Sequence, residues 1–139
     1  SKFGINIKIE VSSPAVHRDI FSSGKSSLFR ASWIADYPDP ENFLSLFYSK
    51  NKSPNGPNYT HYDSDEFDYL YEKSFFSSDS VSRNKLFKKM EIIINEESVV
   101  VPLYYDYTFR LLSSNISNMS INCMNKLCLK NVKKITNYR

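Results

Sequence analysis

Glycine, cysteine and long apolar runs are scarce in this chain of 139 residues. Its three glycines form no glycine-rich loop of the kind that binds phosphate groups. Its two cysteines are fewer than the disulfide scaffold of a small secreted domain requires. No apolar run approaches the roughly 20 residues of a membrane-spanning helix. At this length, the sequence predicts one domain with a modest core.

Net charge is also low, because 18 lysines and arginines face 15 acidic residues, which gives +3. We therefore expect neither nucleic acid nor an anionic membrane surface as a partner. Aromatic residues are plentiful by contrast, at 15% of the chain. So many rings suit a ligand groove or an interface, and they suit an aromatic core equally well.

Neither the histidines nor the cysteines are spaced for metal binding or catalysis. His17 and His61 are far apart, and neither has a cysteine or an acid at ligand spacing. An extended strand would hold Cys123 and Cys128 farther apart than the about 7 Å that a disulfide spans, so we expect two free thiols. The sequence thus predicts no metal, no cofactor and no catalytic residue.

The N-terminal part predicts a strand, a helix and a second strand. Apolar and polar residues alternate over residues 3–11, which is typical of a strand with one buried face. Ser13 and Pro14 suit the start of a helix and Gly24 suits its end. The apolar run Leu28–Trp33 predicts the second strand, and together the elements predict a right-handed βαβ unit. The residues expected on the inner face of the helix are Val16, Ile20 and Phe21.

Three further helices are predicted downstream. The first starts at Pro40, the second at Asp63 or Ser64, and the third at Asp79 or Ser80. Apolar residues recur at helical spacing in each, and we expect them to face the core. They are Phe43, Leu44 and Phe47, then Phe67, Leu70, Tyr71 and Phe75, and finally Leu86, Phe87, Met90, Ile93 and Ile94.

Residues 48–62 predict a loop, because asparagine, serine, proline and glycine cluster there without periodicity. After the last helix, Val99–Tyr105 and Tyr107–Leu112 predict an antiparallel pair of strands. Weaker alternation predicts short strands at Met119–Ile121 and Leu127–Val132. The whole pattern indicates a mixed α/β fold.

The loop Ile34–Pro38 is predicted to bind a ligand. It follows the second strand, and the next helix begins directly after it, with Asp39 as N-cap and Pro40 at the first helical position. A loop fixed in this way at the C-terminal end of a strand is where α/β proteins place ligand contacts. The loop and its border contribute one carboxylate and two large rings: Asp36, Trp33 and Tyr37. This set suits a ligand with an amine and an apolar body.

The same stretch resembles the signature of a known family. From Trp33 to Leu44 the chain reads Trp-x-x-Asp-Tyr-x-x-Pro-x-x-Phe-Leu. This motif is similar to one in the extracellular solute-binding proteins of family 5, which are the oligopeptide-, dipeptide- and nickel-binding proteins of bacterial ABC importers. The resemblance covers most of the chain, from residue 3 to residue 112. Its other matching positions are Asn58, Tyr62, Phe67-Asp68-x-Leu70, Asp79 with Arg83, Val101–Tyr105 and Arg110-Leu111.

The resemblance implies that the chain is a C-terminal fragment, since members of this family are several hundred residues long. Residues 1–112 would form the C-terminal part of the distal ligand-binding lobe of a class II periplasmic-binding-protein fold. Residues 113–139 would return toward the first lobe. The implied function is non-catalytic binding of a peptide or related solute for import by an ABC transporter permease. The implied place is the periplasm or the cell surface, with a lipoprotein anchor; the lack of a signal peptide excludes nothing in a fragment.

The resemblance also implies roles for individual residues. The carboxylate that matches Asp36 pairs with the α-amino group of a bound peptide, and Trp33 and Tyr37 would line the groove. Tyr105 would point toward the ligand from the closing strand. Asp106 departs from the pattern, because the peptide-binding members have a third tyrosine in a row there. A second acid would favour a cationic or amine-rich ligand.

Each of these roles has a structural alternative. Asp36 can instead accept hydrogen bonds from loop N–H groups, Trp33 can be a core residue at a strand end, and Asp106 can lie in a surface turn. Arg83 is expected to be structural and paired with Asp79 or Asp68. Asn58 and Tyr62 are expected to fix the long loop.

Two other functions remain open from the sequence. One is a protein- or RNA-interaction module with a basic aromatic face, although the nearly balanced charge argues against it. The other is a hydrolase that uses Asp36 and Asp106, although no second group with a defined spacing accompanies them.

Overall fold

The computed structural model describes residues 4–122 and 124–135. Over these residues the chain combines α-helices with one short antiparallel pair of strands, so the fold is mixed helix and sheet. Ile116 lies opposite Lys134, and Ser117 lies opposite Lys133. Two 3₁₀ turns, Ser45–Phe47 and Ser49–Asn51, follow the second helix. The elements are α1 (Pro14–Ser22), α2 (Glu41–Leu44), α3 (Asp65–Phe75), α4 (Ser80–Glu96), β1 (Ile116–Ser117) and β2 (Lys133–Lys134).

The core lies between α3 and α4. Ser64 caps α3, because its hydroxyl accepts a hydrogen bond from the Phe67 N–H, and Asp79 caps α4 by accepting one from the Ser82 N–H. Both predicted helix starts are therefore confirmed. Each helix buries one stripe of its surface against the other, and α2 adds one residue. The buried cluster consists of Leu44, Phe67, Leu70, Tyr71, Phe87, Met90 and Ile94.

Some residues predicted to face the core lie at the surface instead. Phe75 is exposed because Ser74 takes the buried position on α3. The Phe75 ring packs edge-on against the Tyr71 ring. Phe43 is exposed because α2 is only one turn long, and its buried positions are Glu41, Asn42 and Leu44. On α1, Val16 and Ile20 were predicted to face the core and are exposed.

Phe21 is the residue that fixes α1. Its ring stacks on Phe29 at 5.1 Å and meets Tyr59 edge-on at 4.8 Å, measured between ring centroids. The start and end of α1 are as predicted, with the Ser13 side chain accepting from the Val16 N–H and Gly24 in the left-handed conformation at φ +68°.

The predicted βαβ unit and the predicted C-terminal strand pair are wrong for the residues that the structure describes. Residues 4–11, 28–33 and 99–112 form no strand there. A strand exists only when a neighbouring chain segment pairs with its N–H and C=O groups, and no described segment forms a ladder with these residues. Most of their apolar side chains are accordingly exposed, Ile7 and Leu111 among them. Phe3, at the start of the predicted first strand, lies outside the described residues.

The short strands that do form, β1 and β2, lie close to the predicted Met119–Ile121 and Leu127–Val132 but do not coincide with them. Pairing begins directly outside those segments, at Ser117 and Lys133, so the predicted strands lie in the connection between β1 and β2. Cys128, in the same connection, is an exposed free thiol, and Cys123 lies outside the described residues.

The long loop of residues 48–62 is organised around Asn58, which is fully buried. The Asn58 amide N–H₂ donates to the carbonyl oxygens of Tyr48 and Tyr62, and its Oδ1 accepts from Thr60 and from the Tyr62 N–H. The Tyr62 hydroxyl donates to Glu97 at 2.7 Å, which ties the loop to the end of α4. The prediction that Asn58 and Tyr62 fix this loop is confirmed.

Among the described residues, the helices are all too short or too polar to cross a membrane.

Replacing Phe67 with alanine is expected to lower the free energy of unfolding by about 3–5 kcal/mol, because the change leaves a cavity in the centre of the core. The matched control is Phe76→Ala, since Phe76 follows directly after α3 and its side chain is 87% exposed. We expect the control to stay within about 0.5 kcal/mol of the parent. Urea denaturation followed by circular dichroism measures both.

If Phe67→Ala does not fold, the milder Phe67→Leu replaces it, with an expected loss of about 1–2 kcal/mol. Equal losses at positions 67 and 76 would contradict the assignment of the core.

Candidate functional site

The start of α2 is held by an ion pair with α4. Asp39 Oδ1 accepts a hydrogen bond from the Glu41 N–H at 2.9 Å, and Asp39 Oδ2 pairs with Arg83 at 2.5 Å. The guanidinium of Arg83 also lies over the Phe87 ring, 4.6 Å from its centroid. Arg83 is structural as expected, but its partner is neither of the predicted acids.

The two predicted partners of Arg83 are engaged elsewhere. Asp79 caps α4, and Asp68 accepts hydrogen bonds from the N–H and hydroxyl of Ser49. The sequence did not indicate that Asp39 is the partner of Arg83, because the two residues lie 44 positions apart.

Burial opposes the ionised form of Asp39, but its partners outweigh that effect. The hydrogen bond from Arg83, the N–H of Glu41 and the positive charge of Arg83 together lower the pKa of the Asp39 carboxyl below its ordinary value. The carboxylate is therefore ionised over the whole neutral range and completes the ion pair.

Asn42 is a buried residue of α2 and binds the loop that precedes the helix. Its Oδ1 accepts a hydrogen bond from the indole Nε1–H of Trp33 at 2.8 Å and another from the backbone N–H of Asp36 at 3.2 Å. Asn42 Oδ1 thus binds the side chain of Trp33, just before the loop, and the backbone of Asp36, in the middle of the loop.

Glu41 is buried next to Asn42, and its carboxylate accepts hydrogen bonds from the hydroxyls of Tyr37 and Tyr71. Donation to Glu41 raises the pKa of Tyr37, and burial, with help from Glu41, raises the pKa of Tyr71. Both phenols therefore stay protonated as donors. Tyr71 belongs to the core cluster, so Glu41 connects the exposed Tyr37 to the centre of the domain.

The three predicted loop residues are brought together by these contacts. Trp33 is half-buried, and Tyr37 is 43% exposed. Asp36 is exposed, and its carboxylate accepts no hydrogen bond from the residues that the structure describes. The Asp36 carbonyl lies 3.5 Å from Lys126 Nζ. The arrangement presents an exposed carboxylate on a short segment that also carries two rings, a combination suited to a cation with an apolar body.

Tyr105 and Asp106 are not joined to this loop by any hydrogen bond, ion pair or ring contact within the described residues. Tyr105 is 93% exposed, and Asp106 accepts a hydrogen bond from the next N–H along the chain, that of Tyr107. The neighbouring Tyr104 contacts the segment that precedes the loop, since Arg30 donates to its hydroxyl and lies over its ring. A ligand role for Tyr105 and Asp106 stays a prediction.

Sequence reasoning missed Glu41 and Asn42 as part of this site. Polar residues in a first helical turn usually face solvent, and α2 offered no longer pattern from which burial was visible. The signal that was available is their place directly after the Asp-Pro start, where side chains can reach back to a preceding loop. Across the described residues, acids, histidines and cysteines form no group of three that could hold a metal ion.

Comparison with known proteins identifies the family of the chain. No family model matches the chain. The periplasmic oligopeptide-binding protein OppA of Salmonella typhimurium is 31% identical over 109 residues, which are 78% of this chain and 19% of that protein. The oligopeptide-binding protein OppA of Bacillus subtilis is 34% identical over 102 residues, 73% of this chain and 18% of its own length.

A third relative, the probable deoxycholate-binding periplasmic protein YgiS of Escherichia coli, is 26% identical over 118 residues, 85% of this chain and 21% of its own length. The chain thus belongs to the extracellular solute-binding proteins of family 5, as its signature predicted, and it spans about a fifth of the length of these relatives. Each relative is named as a binding protein, not as an enzyme.

Replacing Asp39 with asparagine is expected to flatten the acid dependence of stability. Because its folded pKa is lowered, ionised Asp39 stabilises the fold above its ordinary pKa of 3.8 and loses this effect as the pH falls through that value and below. The parent should therefore lose more free energy of unfolding than Asp39→Asn between about pH 5 and pH 3, by about 1 kcal/mol or less.

Urea titrations at several pH values measure this difference. The matched control is Glu91→Gln, which removes an exposed acid from α4 and should keep the parent's pH dependence. An Asp39→Asn variant with the same acid dependence as the parent would show that the ion pair with Arg83 does not stabilise the start of α2.

Proposed function

We propose that the chain is the C-terminal part of the distal lobe of a solute-binding protein that captures peptides for an ABC transporter. The observation that carries the proposal is the exposed Asp36 carboxylate on a segment that also carries Trp33 and Tyr37 and that is fixed to the core through Asn42 and Glu41. The names of the OppA relatives support a peptide as the ligand. On this proposal Asp36 binds the peptide's α-amino group.

The two-lobe arrangement explains why a carboxylate is useful here. When the lobes close over a ligand, water leaves the groove, and the attraction between Asp36 and an ammonium group becomes stronger than at an open surface. The Trp33 ring would pack against the apolar part of the peptide. The ligand then favours the closed state, because only that state makes contacts from both lobes.

The unpaired apolar segments, 4–11 and 99–112, support an incomplete lobe. Most of their apolar side chains are exposed, and neither segment pairs with a described strand, so each is suited to pair with a strand from the remainder of the binding protein. In this proposal residues 1–112 belong to the distal lobe and residues 113–139 return toward the first lobe. The tyrosine and the acid at positions 105 and 106 would reach the groove only after this pairing.

The place of action follows from the same proposal. Two of the relatives are named as periplasmic proteins, which supports a site outside the cytoplasmic membrane. There the protein would deliver its solute to a permease, and a lipoprotein anchor would keep it at the cell surface in an organism without an outer membrane.

Deoxycholate is the solute to test against peptides, because one relative is named for it. Deoxycholate carries a carboxylate, which the negative charge of Asp36 would repel, whereas a peptide presents an ammonium group. The charge at the loop therefore favours the peptide.

Asp36→Asn is expected to weaken peptide binding at least about thirtyfold, because it leaves the ammonium group without its counter-charge in a closed groove. Calorimetry measures this in a chimera in which the chain replaces the matched segment of Bacillus subtilis OppA, so that both lobes are present. The matched control is Asp65→Asn, an exposed acid at the start of α3. A peptide with an acetylated amino terminus should bind the parent chimera as weakly as the free peptide binds Asp36→Asn.

Equal affinity for free and acetylated peptides would overturn the role of Asp36, and preference for deoxycholate would overturn the peptide assignment. The 139 residues alone should bind peptides no more tightly than micromolar, since half of the groove contacts are missing. Nanomolar binding by the chain alone would contradict the two-lobe mechanism.

A further inference from the structure

We propose that Asn42 is a positioning residue, which holds Trp33 and Asp36 in the arrangement that receives the ligand before the ligand arrives. This inference rests on the proposed function. Asn42 lies behind the loop, is 4% exposed, and acts on the ligand through the residues that it binds.

The geometry ties both parts of the loop to one atom. Asn42 Oδ1 accepts from the Trp33 indole and from the Asp36 backbone, so these two residues cannot move apart without breaking a hydrogen bond. Because the oxygen is buried, water does not readily replace a lost donor, and an unsatisfied buried acceptor is unfavourable. The orientation of the Trp33 ring and the path of the backbone at Asp36 are thereby set together.

The anchor is itself rigid, because α2 is held on both sides. Asp39 pairs with Arg83 of α4 immediately before the helix, and Leu44 lies in the core cluster at its end. Between them, Glu41 binds Tyr71 of α3. Asn42 therefore transmits the position of the α3–α4 core to the loop.

Preorganisation explains how a residue without ligand contact can change affinity. A loop that is already ordered loses less conformational entropy on binding than one that must be ordered by the ligand. Removing the Asn42 oxygen should release the Trp33 ring and the Asp36 backbone, and the ligand would then have to order them.

The chain has one tryptophan, which makes the contact directly observable. In an NMR spectrum Trp33 gives the single indole N–H signal, and its exchange with solvent should be slowed by the bond to Asn42. In Asn42→Leu, which lacks the acceptor, we expect exchange to be roughly tenfold faster and the signal to move toward that of free tryptophan. Asn42→Asp keeps an oxygen in the same place and should restore the parent's signal.

Asn51→Leu is the matched control. Asn51 is a partly buried asparagine whose side chain donates to the Ser45 carbonyl. It makes no hydrogen bond to the candidate ligand loop Ile34–Pro38, all of which the structure describes. The variant should lose some stability but leave the indole signal unchanged. If Asn42→Leu does not fold, the exchange rate of the Trp33 indole N–H in the parent protein provides the test. An indole N–H that exchanges as fast as that of free tryptophan would overturn the inference.

Calorimetry on the same variants in the chimera tests the effect on binding. We expect Asn42→Leu to weaken peptide binding roughly tenfold, while Asn42→Asp and Asn51→Leu stay within about threefold of the parent. An unchanged indole signal in Asn42→Leu would overturn the inference, and so would a changed signal with unchanged affinity. If the signal changes but not even the parent chimera binds peptide, the anchor is confirmed and the proposed function is wrong.

Discussion

The packing of α3 against α4 is the constraint on which the rest of the structure depends. It buries the apolar stripe of each helix and places Arg83 and Tyr71 where they contact the start of α2. Through Asp39 and Glu41 the position of α2 follows from these two helices, and through Asn42 the position of the candidate ligand loop follows from α2. A carboxylate at the surface is thus connected to the centre of the core by three polar residues, Asp39, Glu41 and Asn42, and their partners.

The buried polar groups at α2 can destabilise the fold if they lose a hydrogen-bond partner, which apolar residues in their place would not do. Glu41 and Asn42 must keep all their partners, because a buried acceptor that loses its donor destabilises the fold. The structure meets this condition with donors from the loop, Tyr37 and Trp33, as well as from the core, Tyr71. Stability of the domain and geometry of the candidate site therefore depend on the same contacts. We infer that the site is preformed in the absence of ligand.

The helices could be predicted from the sequence, whereas the strands could not. Ser64 and Asp79 mark helix starts through local hydrogen bonds. On each helix the buried apolar residues recur at the spacing of one face, Phe67 and Leu70 on α3 and Phe87 and Met90 on α4. A strand is decided by a partner distant in sequence. Alternation in residues 4–11 and the apolar content of residues 99–112 indicate a capacity to pair, and the described part of the chain contains no strand partner for them. The same limit hid the Asp39–Arg83 pair, because nothing local connects those residues.

The candidate site could be predicted only in part, because some of its contacts are local in sequence and others are not. Asp36, Trp33 and Tyr37 are close in sequence and border a proline-rich turn, so their proximity in space was predictable. Their support by Glu41 and Asn42 depended on burial, which a four-residue helix does not reveal through periodicity. The most direct test of the account is a crystal structure of the two-lobe chimera with a bound tripeptide. The account predicts the peptide's ammonium group within hydrogen-bond distance of the Asp36 carboxylate and its backbone against the Trp33 ring. A peptide bound elsewhere, with Asp36 facing bulk water, would contradict it.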